Sequence, residues 1–220
     1  MNNSYLIAVV IVIVAIIGFV FARKSEAPVD TTESEQETAA AVIDGEYDIN
    51  TASSFVGWKG EFVTGFSEVG KINLNSGKAV ISEGSVSGEF VIDMNSITSD
   101  PVKDRLIAHL KSDDFFSVEK FPTAKFELRS LTPSSEEGAK EGRYVVGGNL
   151  TVKGITKPIS FLASFTEDGN TLNINAWFVI NRADWEIKYG SATFFKNLGD
   201  KVIRDTVEIT LDLKATKVIQ

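Results

Sequence analysis

Apolar and polar residues alternate with a period of two over most of the chain after Gly45. Val86, Gly88, Phe90 and Ile92 alternate with Ser87, Glu89, Val91 and Asp93. Ala124, Phe126 and Leu128 alternate with Lys125, Glu127 and Arg129, and Leu172, Ile174, Ala176, Phe178 and Ile180 with mostly polar neighbours. Successive strand residues face opposite sides of a sheet, so this spacing predicts half-buried strands. The pattern recurs over Tyr144–Val152, Ile159–Phe165 and Val207–Leu213. Asn75-Ser76-Gly77, Lys153-Gly154 and Glu167-Asp168-Gly169-Asn170 supply turn chemistry between such runs. Connections this short favour antiparallel neighbours.

One stretch keeps a helical period instead. Pro101–Ser112 places Val102, Leu106 and Leu110 at i, i+4 and i+8, with Asp100 and Pro101 as an N-cap and first-turn pair. About eight strands and one helix in roughly 175 residues suit a closed barrel or a two-sheet sandwich, and closure is the more economical arrangement because it leaves no open edge. The fold class expected is therefore all-β. In a barrel of this size the interior is either filled by side chains or holds one ligand.

The first 44 residues are of a different kind. Leu6–Ala22 is an uninterrupted apolar run of 17 residues, followed by Arg23-Lys24. As a helix it covers roughly 25 Å of a hydrocarbon layer about 30 Å thick, and the flanking Tyr5, Arg23 and Lys24 can snorkel across the remainder. No basic residue precedes the run and no small-x-small cleavage site follows it, which favours an uncleaved membrane anchor over a cleaved secretory signal. Ser25–Asp44 carries six acidic residues and neither a base nor an aromatic, the composition of a solvated tether. The expected organisation is thus an anchor over 1–24, a linker over 25–44 and a folded domain over 45–220. The positive-inside rule alone would put the C-terminal part on the cytoplasmic side, but only two basic residues follow the run, and charge leaves the orientation open.

The sequence has 30 acidic and 22 basic residues and a formal charge of −8. Six of the acids and two of the bases precede Gly45, so the folded part carries only −4. Such a balance lacks the basic footprint of a nucleic-acid binder. With no cysteine, disulfide frameworks, thiolate metal sites and cysteine nucleophiles are excluded.

His109 is the sole histidine. A catalytic role would need a poised nucleophile and an orienting carboxylate, yet no Gly-x-Ser-x-Gly elbow occurs; a metal site would have only Asp and Glu for partners. The simpler reading is a histidine that packs and hydrogen-bonds at the barrel mouth. Asp113 and Asp114 read as turn or cap residues beside Phe115 and Phe116, because adjacent extended residues point apart and the stretch lacks the ligand spacing of a calcium loop. No cofactor is expected. Phenylalanine is abundant, with 15 residues, and Phe90, Phe126, Phe161, Phe165 and Phe178 occupy alternating positions compatible with the interior. They serve a solid core or a hollow one equally well.

Gly88-Glu-Phe-Val-Ile-Asp-Met-Asn-Ser-Ile97, His109-Leu-Lys-Ser-Asp-Asp-Phe-Phe116 and Phe121-Pro-Thr-Ala-Lys-Phe126, taken in order, resemble segments of the YceI-like family of lipid- and polyisoprenoid-binding proteins. Gly148-Asn-Leu-Thr-Val-Lys-Gly-Ile-Thr-Lys-Pro158 resembles that family's G-x-L-T-x-K-G-x-T-K hairpin, and Asn181-Arg-Ala-Asp-Trp185 with Tyr189-Gly-Ser191 its R-x-x-W…Y-x-S stretch. The resemblance covers about Glu46–Ala215. It implies an extended, lipocalin-like eight-stranded antiparallel barrel whose apolar cavity takes a polyisoprenoid or another long-chain amphipathic lipid without transforming it. Trp58, Phe66, Ile92, Met94, Leu106, Leu110, Phe115, Phe116 and Trp185 then join the five alternating phenylalanines as candidate wall residues. His109, Asp114 and Arg182 become candidates for the ligand headgroup by motif position. Members of the family are commonly exported, which favours an extracytoplasmic domain, periplasmic or at the cell surface, with a cleaved secreted form as the alternative to the anchored one. One departure stands out: where many relatives carry G-x-H-x-G, this chain has Gly65-Phe66-Ser67-Glu68-Val69-Gly70, so a histidine contact to a headgroup is missing there. The competing function is a structural or interaction barrel with a filled core and no lipid.

Overall fold

The computed structural model describes residues 44–82, 85–134 and 142–219. The expected span over Leu6–Ala22 and the tether up to residue 43 lie outside the described residues. Among the described residues no helix is long and apolar enough to cross a membrane.

Among the described residues ten strands form one antiparallel sheet: β1 (Gly45–Ile49), β2 (Phe55–Glu61), β3 (Ser67–Ser82), β4 (Ser85–Asp93), β5 (Thr98–Ser99), β6 (Thr123–Pro133), β7 (Arg143–Val152), β8 (Ile155–Asp168), β9 (Thr171–Asn181) and β10 (Thr206–Lys217). Eight of them close a ring in the order β2-β3-β4-β6-β7-β8-β9-β10, with β10 pairing back onto β2. The expected closed barrel is therefore present. β1 fills the same slot as β2 further along, since Tyr47 pairs with Lys217 of β10 on one side and Ala79 of β3 on the other. β1 and β2 thus act as one interrupted stave. The short β5 adds to β3 at Gly70 and Lys71.

Two expectations are corrected. Asn75-Ser76-Gly77 is not a turn, because β3 runs through it, and the register against β4 slips by one residue between Leu74 and Ser76. The polar triplet marks a β-bulge, which bends a long strand without ending it. Gly77 is required there: a Cβ would fall 2.6 Å from Ile49 Cγ1 and 2.8 Å from Phe90 Cδ1. The helix α1 spans Asp104–Lys111, three residues later than Asp100-Pro101 predicts. Ser99 Oγ accepts from the Lys103 amide at 2.9 Å and donates to Pro101 O at 3.0 Å, which holds the lead-in outside helical geometry. Val102 consequently stands exposed, whereas Leu106 and Leu110 pack on the core. The Lys153-Gly154 hairpin is as expected, both residues adopting positive φ (51° and 73°) between the paired Val152 and Ile155.

The ring order sorts the connections to two ends. One end carries the longer links: 62–66, 94–122 with α1, and 182–205, together with the 153–154 turn. The other carries the β1 start, the β8–β9 turn and the C-terminus. At the first end Met94, Ile97, Leu110, Phe115, Val118, Trp185 and Ile187 form a plug; at the second, Tyr47, Tyr144, Leu172 and Ala215 pack together.

Candidate functional site: an apolar tunnel through the barrel

A cavity of about 250 Å³ runs between those two ends, bordered by residues of both. Its wall on β9 extends from Leu172 to Ile180, roughly 27 Å along the strand and about 20 Å along the barrel axis at a typical tilt. A space so long and of so little volume is a narrow tunnel, which suits an extended chain better than a compact ligand. The inward phase of each strand supplies the wall: Val56 and Trp58 from β2, Val207, Ile209, Leu211, Leu213 and Ala215 from β10, and Ile159, Phe161 and Phe165 from β8.

At mid-height a chain of aromatic rings crosses the wall. Phe90 and Phe126 have centroids 6.2 Å apart, Phe126 and Phe161 5.8 Å, and Phe161 stacks on Phe178 at 4.2 Å with 10° between planes. All four rings border the cavity.

Most candidates named from sequence border the tunnel: Trp58, Phe90, Ile92, Met94, Leu110, Phe115, Phe116, Phe126, Phe161, Phe165, Phe178, Arg182 and Trp185. Met94 begins a 3-10 turn capped by Asp93, whose Oδ1 accepts from the Asn95 amide at 3.0 Å. The two indoles are fixed through their N–H groups, Trp58 to Thr98 O at 3.2 Å and Trp185 to Leu150 O at 3.1 Å.

Four candidates lie outside the wall. Phe66 sits in the β2–β3 link, 56% exposed, because the turn carries it beyond the last ladder pair. Leu106 packs against the plug without bordering the tunnel. The His109 Nε2 lies 3.0 Å from Asp114 Oδ2, and its ring meets Phe115 and Tyr189 edge-on at 5.0 and 4.5 Å. Both residues thus join the chain after α1 to the 182–205 link, on the solvent side of the plug.

Arg182 borders the tunnel at 4% exposure, yet its donors point elsewhere. Nε donates to Arg204 O (3.1 Å), Nη1 to Ile187 O (3.0 Å) and Tyr189 O (2.8 Å), and Nη2 to Ile203 O (3.1 Å); Asp205 Oδ1 lies 3.3 Å from Nη2. Burial pushes its pKa down from the ordinary value, against the opposing pull of Asp205. The guanidinium thus ties together the two arms of the link, with its donors turned to backbone carbonyls and Asp205. Asp205 is itself held by Ser191 Oγ at 2.9 Å and Thr193 Oγ1 at 2.6 Å.

Sequence reasoning singled out aromatics and missed the aliphatic majority of the wall, including Ile72, Leu74, Ile174 and the β10 series. The signal was present as alternation. On β3 the inward set changes from even to odd numbers, Ile72 and Leu74 before the bulge, Ala79 and Ile81 after it; on β6 a second slip between Leu128 and Ser130 turns Leu131 inward. Tyr47 was missed as well. Its hydroxyl is buried without a partner, and burial, then the charges of Glu167 and Asp44, raise its pKa above the ordinary value. Among the described residues no three His, Asp or Glu side chains assemble as a metal site.

A closed eight-stranded antiparallel barrel with an apolar cavity is an architecture able to enclose one small ligand. Within it, the YceI-like domain model matches residues 47–215, and the chain belongs to that family. A UPF0312 protein of Pseudomonas putida is 35% identical over 91 residues, 39% of this chain and 45% of its own. That of Shewanella denitrificans is 35% identical over 107 residues, 46% and 51% respectively. The chain thus spans about half the length of these curated relatives. Among solved structures, Burkholderia cenocepacia BcnA superposes with a TM-score of 0.62 at 20% identity over 77% of this chain and 100% of that one. A polyisoprenoid binding domain from Saccharophagus degradans, implicated in plant cell wall breakdown, does so with 0.59 at 18% identity over 78% and 98%. These likenesses establish the fold.

Proposed function

We propose that this protein binds a polyisoprenoid or similar long-chain lipid in the barrel, for carriage or sequestration beside a membrane, and performs no catalysis on it. The observation that carries this reading is the tunnel: continuous between the two ends, narrow, and walled almost wholly by aliphatic and phenyl groups. Burying roughly 400 Å² of apolar tail would yield on the order of 10 kcal/mol gross at about 25 cal/mol per Å², before ordering costs. Arg182, the one charged residue among those that border the tunnel, is committed to backbone carbonyls. A charged head would therefore remain in solvent while the chain lies inside. The polyisoprenoid binding domain of Saccharophagus degradans, similar in fold, supports the same ligand class. The Leu6–Ala22 run and the acidic tether would keep the barrel close to the bilayer that supplies the lipid, and the export common in the family would put it outside the cytoplasm despite Arg23-Lys24.

The test is mass spectrometry of the full chain purified from membranes under native conditions, followed by solvent extraction. A copurifying long-chain lipid at one per chain is expected. Reproducibly empty protein that also takes up no added prenyl lipid would refute the reading.

A further inference from the structure

The tunnel has a floor. Tyr47, Leu172 and Ala215, between 1% and 5% exposed, pack together at the end where β8 turns into β9, and the rings of Tyr144 and Phe165 meet edge to face beside them at 5.1 Å. The Tyr47 hydroxyl is buried as well, so solvent does not reach this end of the lumen. Ala79, paired with Tyr47, and Ile81 border the tunnel on the β3 side of the same floor.

The opposite end has a gap. Gly60 continues the inward phase of Val56 and Trp58 and borders the tunnel, yet a Cβ placed on it would meet nothing within 4 Å. Close packing does not demand this glycine, whereas a Cβ on Gly70 or Gly148 would collide with the carbonyl of Thr98 or Glu127. Gly60 pairs with Glu68 of β3, and paired residues share a face of the sheet. The Glu68 carboxylate holds Lys103 Nζ at 2.6 Å, so the rim beside the gap carries a neutralised polar pair. Val207 and Ile180, paired with each other, line the tunnel at this end. An uncharged polar head fits at such a rim, with its tail pointing to the floor.

Two measures then fix how much tail fits. A fully extended hydrocarbon advances about 1.3 Å per carbon, from its bond lengths and angles, and the wall is roughly 20 Å long along the axis; the quotient is about 16 carbons. At roughly 10–15 Å³ of free space per water-sized group, the cavity of about 250 Å³ admits about 17–25 such groups. Length and volume agree on one chain, in single file.

We propose that the tunnel is a chain-length ruler, running from the Gly60 gap to the Tyr47 floor, for a single acyl or prenyl tail of about 16–20 carbons on an uncharged head. This rests on the lipid-binding reading above and narrows its ligand class. A shorter tail leaves part of the wall without contacts. A longer one leaves methylenes in water at the gap, each worth about fourfold in binding.

The test is competition among straight-chain primary alcohols of 10 to 24 carbons for the full protein in non-ionic detergent, with the bound fraction extracted and measured. Occupancy is expected to peak at 16–20 carbons, at least tenfold above that of the shortest and longest members. Ala79→Leu, which lengthens a side chain at the floor, should move the peak about two carbons shorter, and Ile81→Ala about two carbons longer, with circular dichroism verifying each fold. A substitution that merely loosened the barrel would lower every occupancy and leave the peak in place. Alcohols brominated near the head should quench the fluorescence of Trp58, beside the gap, more than those brominated at the tail. Occupancy that keeps rising to 24 carbons, a peak that neither variant moves, or stronger quenching from the tail overturns the ruler while leaving lipid binding intact. Binding of no alcohol, together with protein that copurifies empty, overturns both.

Discussion

Arg182 illustrates how a motif residue can be conspicuous in sequence and structural in role. Its guanidinium joins the carbonyls of residues 187, 189, 203 and 204, the two arms of the 182–205 link. Arg182→Met would leave Asp205 and those acceptors without their cation, and removing one partner of a buried pair costs about 3–5 kcal/mol. A drop of that order in urea-unfolding free energy is expected, with a loss of amide protection over 187–204. Tyr47 makes the opposite case, a buried hydroxyl without a partner. Because burial and neighbouring carboxylates raise its folded pKa above 10.0, the neutral form is favoured in the native state. The unfolded tyrosine ionises first, so the native state holds more protons and stability declines as pH rises past about 10. Tyr144 is shifted the same way, by burial and Glu167. Tyr47→Phe is expected to keep its stability at neutral pH and to lose less than the parent in an alkaline titration followed by circular dichroism.

Strands and their irregularities define the tunnel wall. Alternation made most staves readable in advance, β4, β7, β9 and β10 among them, and the Lys153-Gly154 hairpin could be read because its two positive-φ positions have a sequence signature. The bulges in β3 and β6 could not be read. Asn75-Ser76-Gly77 has turn chemistry, and only pairing with β4 on one side and β1 on the other keeps the strand running through it. Helix α1 shows the same limit, since Ser99 restrains the lead-in and moves the start past Pro101. Gly77→Val places methyl groups into Ile49 and Phe90; overpacking of this kind costs about 1–3 kcal/mol. A lowered denaturation midpoint is expected, together with changed chemical shifts for Ile49 and Phe90.

For the molecule as a whole, the functional question is whether the barrel is hollow. Ala79 on β3 borders the tunnel, so Ala79→Trp adds an indole to the lumen at an inward position. We expect the variant to fold, by circular dichroism, and to copurify with several-fold less lipid than the parent; equal lipid content would show that ligand lies elsewhere. The hydrophobic pattern of this chain determined by itself that the domain is an antiparallel all-β structure with one helix, because strand period and turn residues are local properties. Its ordered motifs pointed to the YceI-like family, and its phenylalanines to an apolar interior. Tertiary structure alone decided that those rings line a tunnel instead of filling it, that Arg182 serves a loop, and that His109 and Asp114 stand outside the wall. Ring closure and the two strand slips set how far apart opposite walls stand and which way each side chain faces, and those quantities depend on residues far apart in sequence.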